Sequence, residues 1–111
     1  MLNQLGISAM LVCLFLPTVT HSVSTLEVKQ EIIRQANFYN VSVNTALRIA
    51  DCESKFNSEA KSPKSTAKGV YQFLDGTWKF VKAEGHPFDY KENIKQFMLT
   101  YPNKPQWWQC K

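Results

Sequence analysis

Apolar residues in this chain form one unbroken run and then shorter stretches with helical spacing. The run, Ile7 to Leu16, is ended by Pro17 and followed by Thr18-Val19-Thr20-His21-Ser22. It is too short to cross a bilayer but has the length of the apolar centre of a secretory signal peptide. Downstream, Ser24-Thr25-Leu26-Glu27 has the form of a capping box and predicts a first helix to about Tyr39, with Ile32, Ile33 and Ala36 on its inner side. Asn40-Val41-Ser42 turns the chain, and Ser42 is placed to cap a second helix. Val43, Ala46, Leu47 and Ala50 then make one apolar stripe.

The next step of three along that stripe lands on Glu53, where another apolar residue is expected. A carboxylate there loses water on several sides, which disfavours its charged form and raises its pKa. The negative end of the helix dipole pushes the same way if the helix stops just after Ser54. A carboxylic acid protonated near neutral pH has the property a general acid needs. The alternative reading turns Glu53 to solvent as the helix frays.

Lys55 to Lys68 is polar, rich in Ser, Lys and Asn, and contains Pro63. A loop this long in a small domain usually carries function or moves. Gly69-Val70-Tyr71-Gln72-Phe73 follows as an apolar and aromatic island. Asp75 is placed to cap a third helix through Trp78, Phe80 and Val81, with Gly85 as its stop. After His86-Pro87, the run Asp89-Tyr90-Lys91-Glu92 repeats the capping logic, and Ile94, Phe97, Met98 and Tyr101 form another stripe before Pro102. The aromatic tail Trp107-Trp108-Gln109-Cys110 is expected to pack back on the domain. No alternating strand pattern occurs, so the expected fold class is mainly α.

The first twenty-two residues hold no Asp, Glu, Lys or Arg. With cleavage near Ser22, residues 1–22 read as a signal peptide and 23–111 as one small domain; a buried N-terminal helix is the alternative. Val12 before Cys13 argues against lipid attachment there, since a small residue is wanted at that place. The expected site of action is therefore periplasmic or extracellular, with no stable membrane insertion after cleavage. Export leaves Cys52 and Cys110 where disulfides persist, and closing so long a loop is worth about 4 kcal/mol in the chain-entropy model. A core this small gains from such a staple. A cysteine pair with His86 as the one histidine after the cleavage site does not make a zinc site, so no metal or other cofactor is expected.

The chain has 13 Lys and Arg against 9 Asp and Glu, all after the leader. The excess is mild and Lys-dominated, without the dense Arg-rich stripe of a nucleic-acid binder, so no nucleic-acid partner is expected. A modest positive surface suits an acidic polymer outside the cytoplasm.

Glu53-Ser54-Lys55-Phe56-Asn57 resembles the Glu-Ser motif of the soluble lytic transglycosylase type, in the wider lysozyme-like superfamily. Ser62-Pro63, Ala67, Gly69-Val70-Tyr71-Gln72-Phe73 and Thr77-Trp78 resemble the next block, whose Gly-x-x-Gln segment lines the cleft. Asp89 and Asn93-Ile94 match a further Asp and Asn-Ile pair in order. The resemblance implies a small, lysozyme-like helical domain with a long loop between the catalytic helix and the Gly-Val-Tyr-Gln segment. It implies peptidoglycan glycan strands as partner, cleaved at the β-1,4 bond between N-acetylmuramic acid and N-acetylglucosamine. In that scheme Glu53 protonates the glycosidic oxygen, then acts as base while the sugar's 6-hydroxyl closes a 1,6-anhydro ring. A two-carboxylate glycosidase needs a partner acid, and Asp51, Glu59 and Asp75 lack a comparable setting.

By the same resemblance Ser54 orients the acid, Gly69 lets the backbone come close, and Tyr71 and Gln72 line the cleft. Gly69 also reads as a plain turn residue, and Tyr71, Phe73 and Trp78 as core. An amide such as Gln72 amid apolar neighbours needs a polar partner. One departure stands out. The family's later Ala-Tyr-Asn motif, whose tyrosine bonds the acid, has its nearest equivalent in Thr100-Tyr101-Pro102-Asn103, where Pro102 spoils the fit; Tyr101 is expected to reach the cleft as a substrate-binding residue. The rival readings are a lysozyme-type hydrolase on the same fold and a catalytically silent peptidoglycan-binding protein.

Overall fold

The computed structural model describes residues 22–110. The signal-peptide expectation rests on residues outside these. Helix α1 spans Thr25–Phe38, α2 Val43–Ser54, α3 Asp75–Phe80 and α4 Tyr90–Thr100, with a single 3-10 turn at Pro105–Trp107. No described helix is long and apolar enough to cross a membrane.

The local signals act as expected where they are self-contained. Ser24 and Glu27 close a reciprocal capping box, with Glu27 N–H donating to Ser24 Oγ at 3.1 Å and Ser24 N–H to Glu27 Oε1 at 3.2 Å. Ser42 Oγ accepts from Thr45 N–H at 3.3 Å to start α2. Asp89 accepts from the N–H groups of Lys91 and Glu92 to start α4. The inner face of α1 is Val28, Ile32, Gln35 and Ala36, whereas Ile33 is exposed, so that part of the predicted stripe is corrected. α1 packs against both α2 and α4.

The third helix is shorter than predicted. Leu74, not Asp75, occupies the N-cap, without a side-chain cap; Asp75 lies inside the first turn and pairs with Lys68 Nζ at 2.7 Å. The helix ends at Phe80 because Lys82 turns left-handed at φ +56°, placing Ala83 N–H on the Trp78 carbonyl. Gly85 does not stop it. Its carbonyl instead accepts from the Trp78 indole at 2.9 Å.

The core gathers Val28, Ile32, Ala46, Ile49 and Ala50 from α1 and α2 with Ile94, Phe97 and Met98 from α4. Tyr71 lies at its centre, its ring stacked on Phe97 with centroids 3.7 Å apart. Trp108 returns from the tail, as the aromatic run predicted, with Phe97 and Phe73 both edge-on to its ring. Its indole N–H donates to the Tyr71 carbonyl at 2.8 Å. Cys52 and Cys110 are joined by a disulfide, their Cα atoms 5.7 Å apart, which fastens the tail to the last turn of α2.

Candidate active site

Helix α2 stops one residue past Glu53. Lys55 and Phe56 follow in left-handed conformation at φ +53° and +61°, and Lys55 N–H closes the helix on the Asp51 carbonyl at 2.9 Å. This turn leaves Glu53 half-buried in the last helical turn rather than frayed into water. Burial pushes its carboxyl above the usual carboxylate range. Asp51, Glu59 and Asp75 are all exposed. Among the described residues Glu53 is the one acidic side chain on an open cavity of about 380 Å³, shared with Ser54, Lys55, Lys61, Pro63 and Gln72 among others.

The segment opposite Glu53 is held from two sides. Ser54 Oγ donates to the Val70 carbonyl at 2.7 Å, with Ala50 O as a longer acceptor at 3.2 Å. Asn93, fully buried on α4, accepts from Tyr71 N–H at 2.8 Å through Oδ1. Its Nδ2 donates to the carbonyls of Pro87 at 2.9 Å and Lys68 at 3.3 Å. Asn93 thus makes in the core the backbone contacts that a longer strand pairing would supply. Sequence reading used it only as a match to a family pair. The available signal was its place on the α4 stripe, four residues before Phe97, where a polar side chain needs partners.

Several predicted site residues stand elsewhere than expected. Tyr71 does not line the cleft: it is fully buried, and its hydroxyl donates to the Ala46 carbonyl at 2.8 Å. The same burial pushes its phenol well above the ordinary range. Gly69 comes close to protein, not to open space for ligand. It is buried at φ +84°, and an added Cβ would fall 2.3 Å from both Asn93 Nδ2 and Pro87 O. Ser54 lines the cavity, but its hydroxyl serves the Val70 carbonyl and so acts on the helix end, not on the carboxyl of Glu53. Tyr101 stacks on Phe97 and lines a different cavity with Pro105, Gln106, Trp108 and Gln109, so it does not share the Glu53 cavity.

Gln72 does share that cavity. It is half-buried at φ +54°, and its Nε2 donates to the carbonyls of Ala60 at 3.1 Å and Gly69 at 2.9 Å. Its Oε1 accepts no hydrogen bond among the described residues. The amide therefore braces the loop with one end and presents an acceptor with the other. Lys55 and Lys61 also border the cavity; in the sequence Lys55 belongs to the Glu-Ser motif and Lys61 only to the long polar loop.

A separate cavity lies between α1 and α4, lined by Glu31, Arg34, Gln35, Lys91 and Lys95 among others. None of the predicted site residues reaches it, and its Glu31 is already paired with Arg34 and Gln35.

A family model for the transglycosylase SLT domain matches residues 30–98, and the chain belongs to that family. The match begins inside α1, takes in its later part, α2, the Glu53 cavity and nearly all of α4, and stops before the aromatic tail. Neither the curated proteins nor the solved structures give a match.

Proposed function

We propose that the protein is a peptidoglycan lytic transglycosylase in which Glu53 is the one general acid and base. The observation that carries this is a carboxyl of raised pKa, half-buried, on an open cavity with no second acid on its lining among the described residues. A retaining or inverting pair needs a second carboxylate across the scissile bond. A lone acid suits a reaction in which the substrate supplies its own nucleophile. Glu53 gives its proton to the glycosidic oxygen, and the resulting carboxylate then takes the proton of the 6-hydroxyl as the 1,6-anhydro ring closes. The lysines at the rim, Lys55 and Lys61, bring positive charge to an anionic strand, and the disulfide agrees with an exported protein.

A second reading, a silent peptidoglycan-binding protein, draws on the position of Tyr101, which lines a cavity apart from Glu53. A zymogram with purified cell wall separates the two: clearing supports the enzyme, and binding without clearing supports the silent protein. Mass spectrometry of the soluble products then decides the chemistry. Anhydro-muramic ends are expected; reducing ends instead would make the protein a lysozyme-type hydrolase.

A further inference from the structure

Beside the Glu53 cavity lies another, of about 220 Å³, lined by Gln72, Phe73, Leu74, Thr77, Trp107 and Trp108. Gln72 borders both, so the two cavities adjoin along one surface. Trp108 is committed to the core, its indole bonded to the Tyr71 carbonyl. Trp107 is not: its side of the wall is open, and the residue is 39% exposed. Leu74 and Phe80 are exposed on the same side, with the Phe80 and Trp107 rings edge to face at 6.3 Å. Both tryptophans lie outside residues 30–98, so this wall is built by a part of the chain that the family match does not include.

We propose that this second cavity is a saccharide subsite in which Trp107 stacks on one uncharged N-acetylhexosamine ring of the strand held by Glu53; the inference rests on the glycan-cleaving reading above. The lining chemistry selects that occupant. A pyranose presents an apolar C–H face that matches an exposed indole, and hydroxyl and acetamido groups that match an amide and a hydroxyl. Gln72 Oε1 and the Thr77 hydroxyl supply those polar groups. Among the described residues no charged one lines the cavity, in contrast to the Glu53 cavity with its two lysines. The N-acetylglucosamine units of the strand are uncharged, whereas the muramic units carry a carboxyl or a peptide. The volume lies below the roughly 300–1,000 Å³ of pockets for larger ligands, which fits one ring.

The tryptophans themselves provide the readout. Trp78 and Trp108 are buried, so acrylamide quenching of the native protein reports chiefly on Trp107. The full chain carrying Glu53→Gln is titrated with the neutral β-1,4 tetramer of N-acetylglucosamine, and peptidoglycan digestion by the unsubstituted protein is measured in parallel. Protection of Trp107 from acrylamide is expected, together with tetramer binding weakened about fivefold or more by Trp107→Ala, the order one stacked ring contributes. Unchanged quenching at saturating tetramer overturns the subsite, as does equal affinity in a folded Trp107→Ala protein. Should that variant not fold, the quenching result decides alone. Protection by phosphatidylcholine vesicles but not by tetramer would also overturn it, marking the patch as a lipid contact. Digestion with an unprotected Trp107 removes the subsite and leaves the enzyme; protection without digestion removes the enzyme and leaves the subsite.

Discussion

The Ser54 hydroxyl donates to the Val70 carbonyl across 2.7 Å, joining the last turn of α2 to the segment that carries Gln72. One residue further along, Asn93 holds Tyr71 N–H from the opposite side. Glu53 and Gln72 thus face one cavity because neighbours in the chain are fixed, not because the two touch. The geometry of the acid is set by backbone, and side chains that resemble ligands of a substrate turn out to be its braces.

Glu53→Gln keeps the volume and removes the proton donor. Turnover of peptidoglycan is expected to fall about 10²–10⁴-fold, the usual share of general acid catalysis, with an unchanged circular dichroism spectrum. A folded variant with comparable activity would falsify the assignment of the acid.

The same variant tests the setting of the carboxyl through pH. Burial raises the Glu53 pKa in the fold above its value in the unfolded chain, about 4.3 for a free glutamate. The folded state therefore holds that proton more tightly. The stability this gives is fully present below the unfolded value and is lost as pH rises through the folded one. Gln cannot ionise, so the thermal midpoint of Glu53→Gln relative to the native protein should rise between pH 3 and pH 7. A difference that stays flat or falls over that range rejects a raised pKa.

Gly69→Ala adds a methyl group where Asn93 and Pro87 already stand, at a left-handed φ of +84°. The strain alone is worth about 1–3 kcal/mol, and the clash adds to it. Chemical denaturation should show the loss directly; a midpoint equal to that of the native protein would mean that the close approach to Asn93 is absent in solution.

Much of the helical framework was legible because its signals are local. Ser24 and Glu27 sit three residues apart and satisfy each other, and the stripe of Ile94, Phe97 and Met98 needs only one helix to be read. Ile33 failed for want of a tertiary reference: a helix face is set by what covers it, and α2 and α4 cover the side of Val28 and Ile32. Glu53 was readable as a polar residue at the end of an apolar stripe. Tyr71 was not, because a tyrosine in an aromatic island looks the same whether its hydroxyl meets a sugar or, as here, the Ala46 carbonyl 25 residues away. Lys82 gave no sign of the left-handed turn that ends α3, whereas Gly85, which looks like a stop, serves Trp78 instead.

Gln72→Ala should lower both stability and activity, since its two ends do different work. Loss of the bonds to Ala60 and Gly69 is expected to cost about 1 kcal/mol, the net value of an ordinary hydrogen bond at a half-buried position. Specific activity per folded molecule should also drop, as the acceptor facing the cavity is removed. Thermal midpoint and turnover measured on one preparation separate the two effects, and full activity per folded molecule would leave Gln72 with the bracing role alone.

Replacing both Cys52 and Cys110 by Ser should cost about 2–5 kcal/mol, typical of a native disulfide in a small secreted domain. Intact mass of the folded native protein without reductant should be lower by two hydrogens than after reduction. Two free thiols in that sample would reject the bond.

The tail that returns through Trp108 and Cys110 also sets the order in which the molecule can be completed. Helices α1 and α2 adjoin in sequence and can pair early, but 58 residues separate Cys52 from its partner. The Tyr71 carbonyl waits 37 residues for the indole of Trp108. A chain emerging amino end first, from a ribosome or across a membrane, therefore carries Glu53 long before anything fixes the wall beside it. Under the proposed activity this delay acts as a safeguard: a half-delivered chain has Glu53 but not the wall that the tail completes beside it.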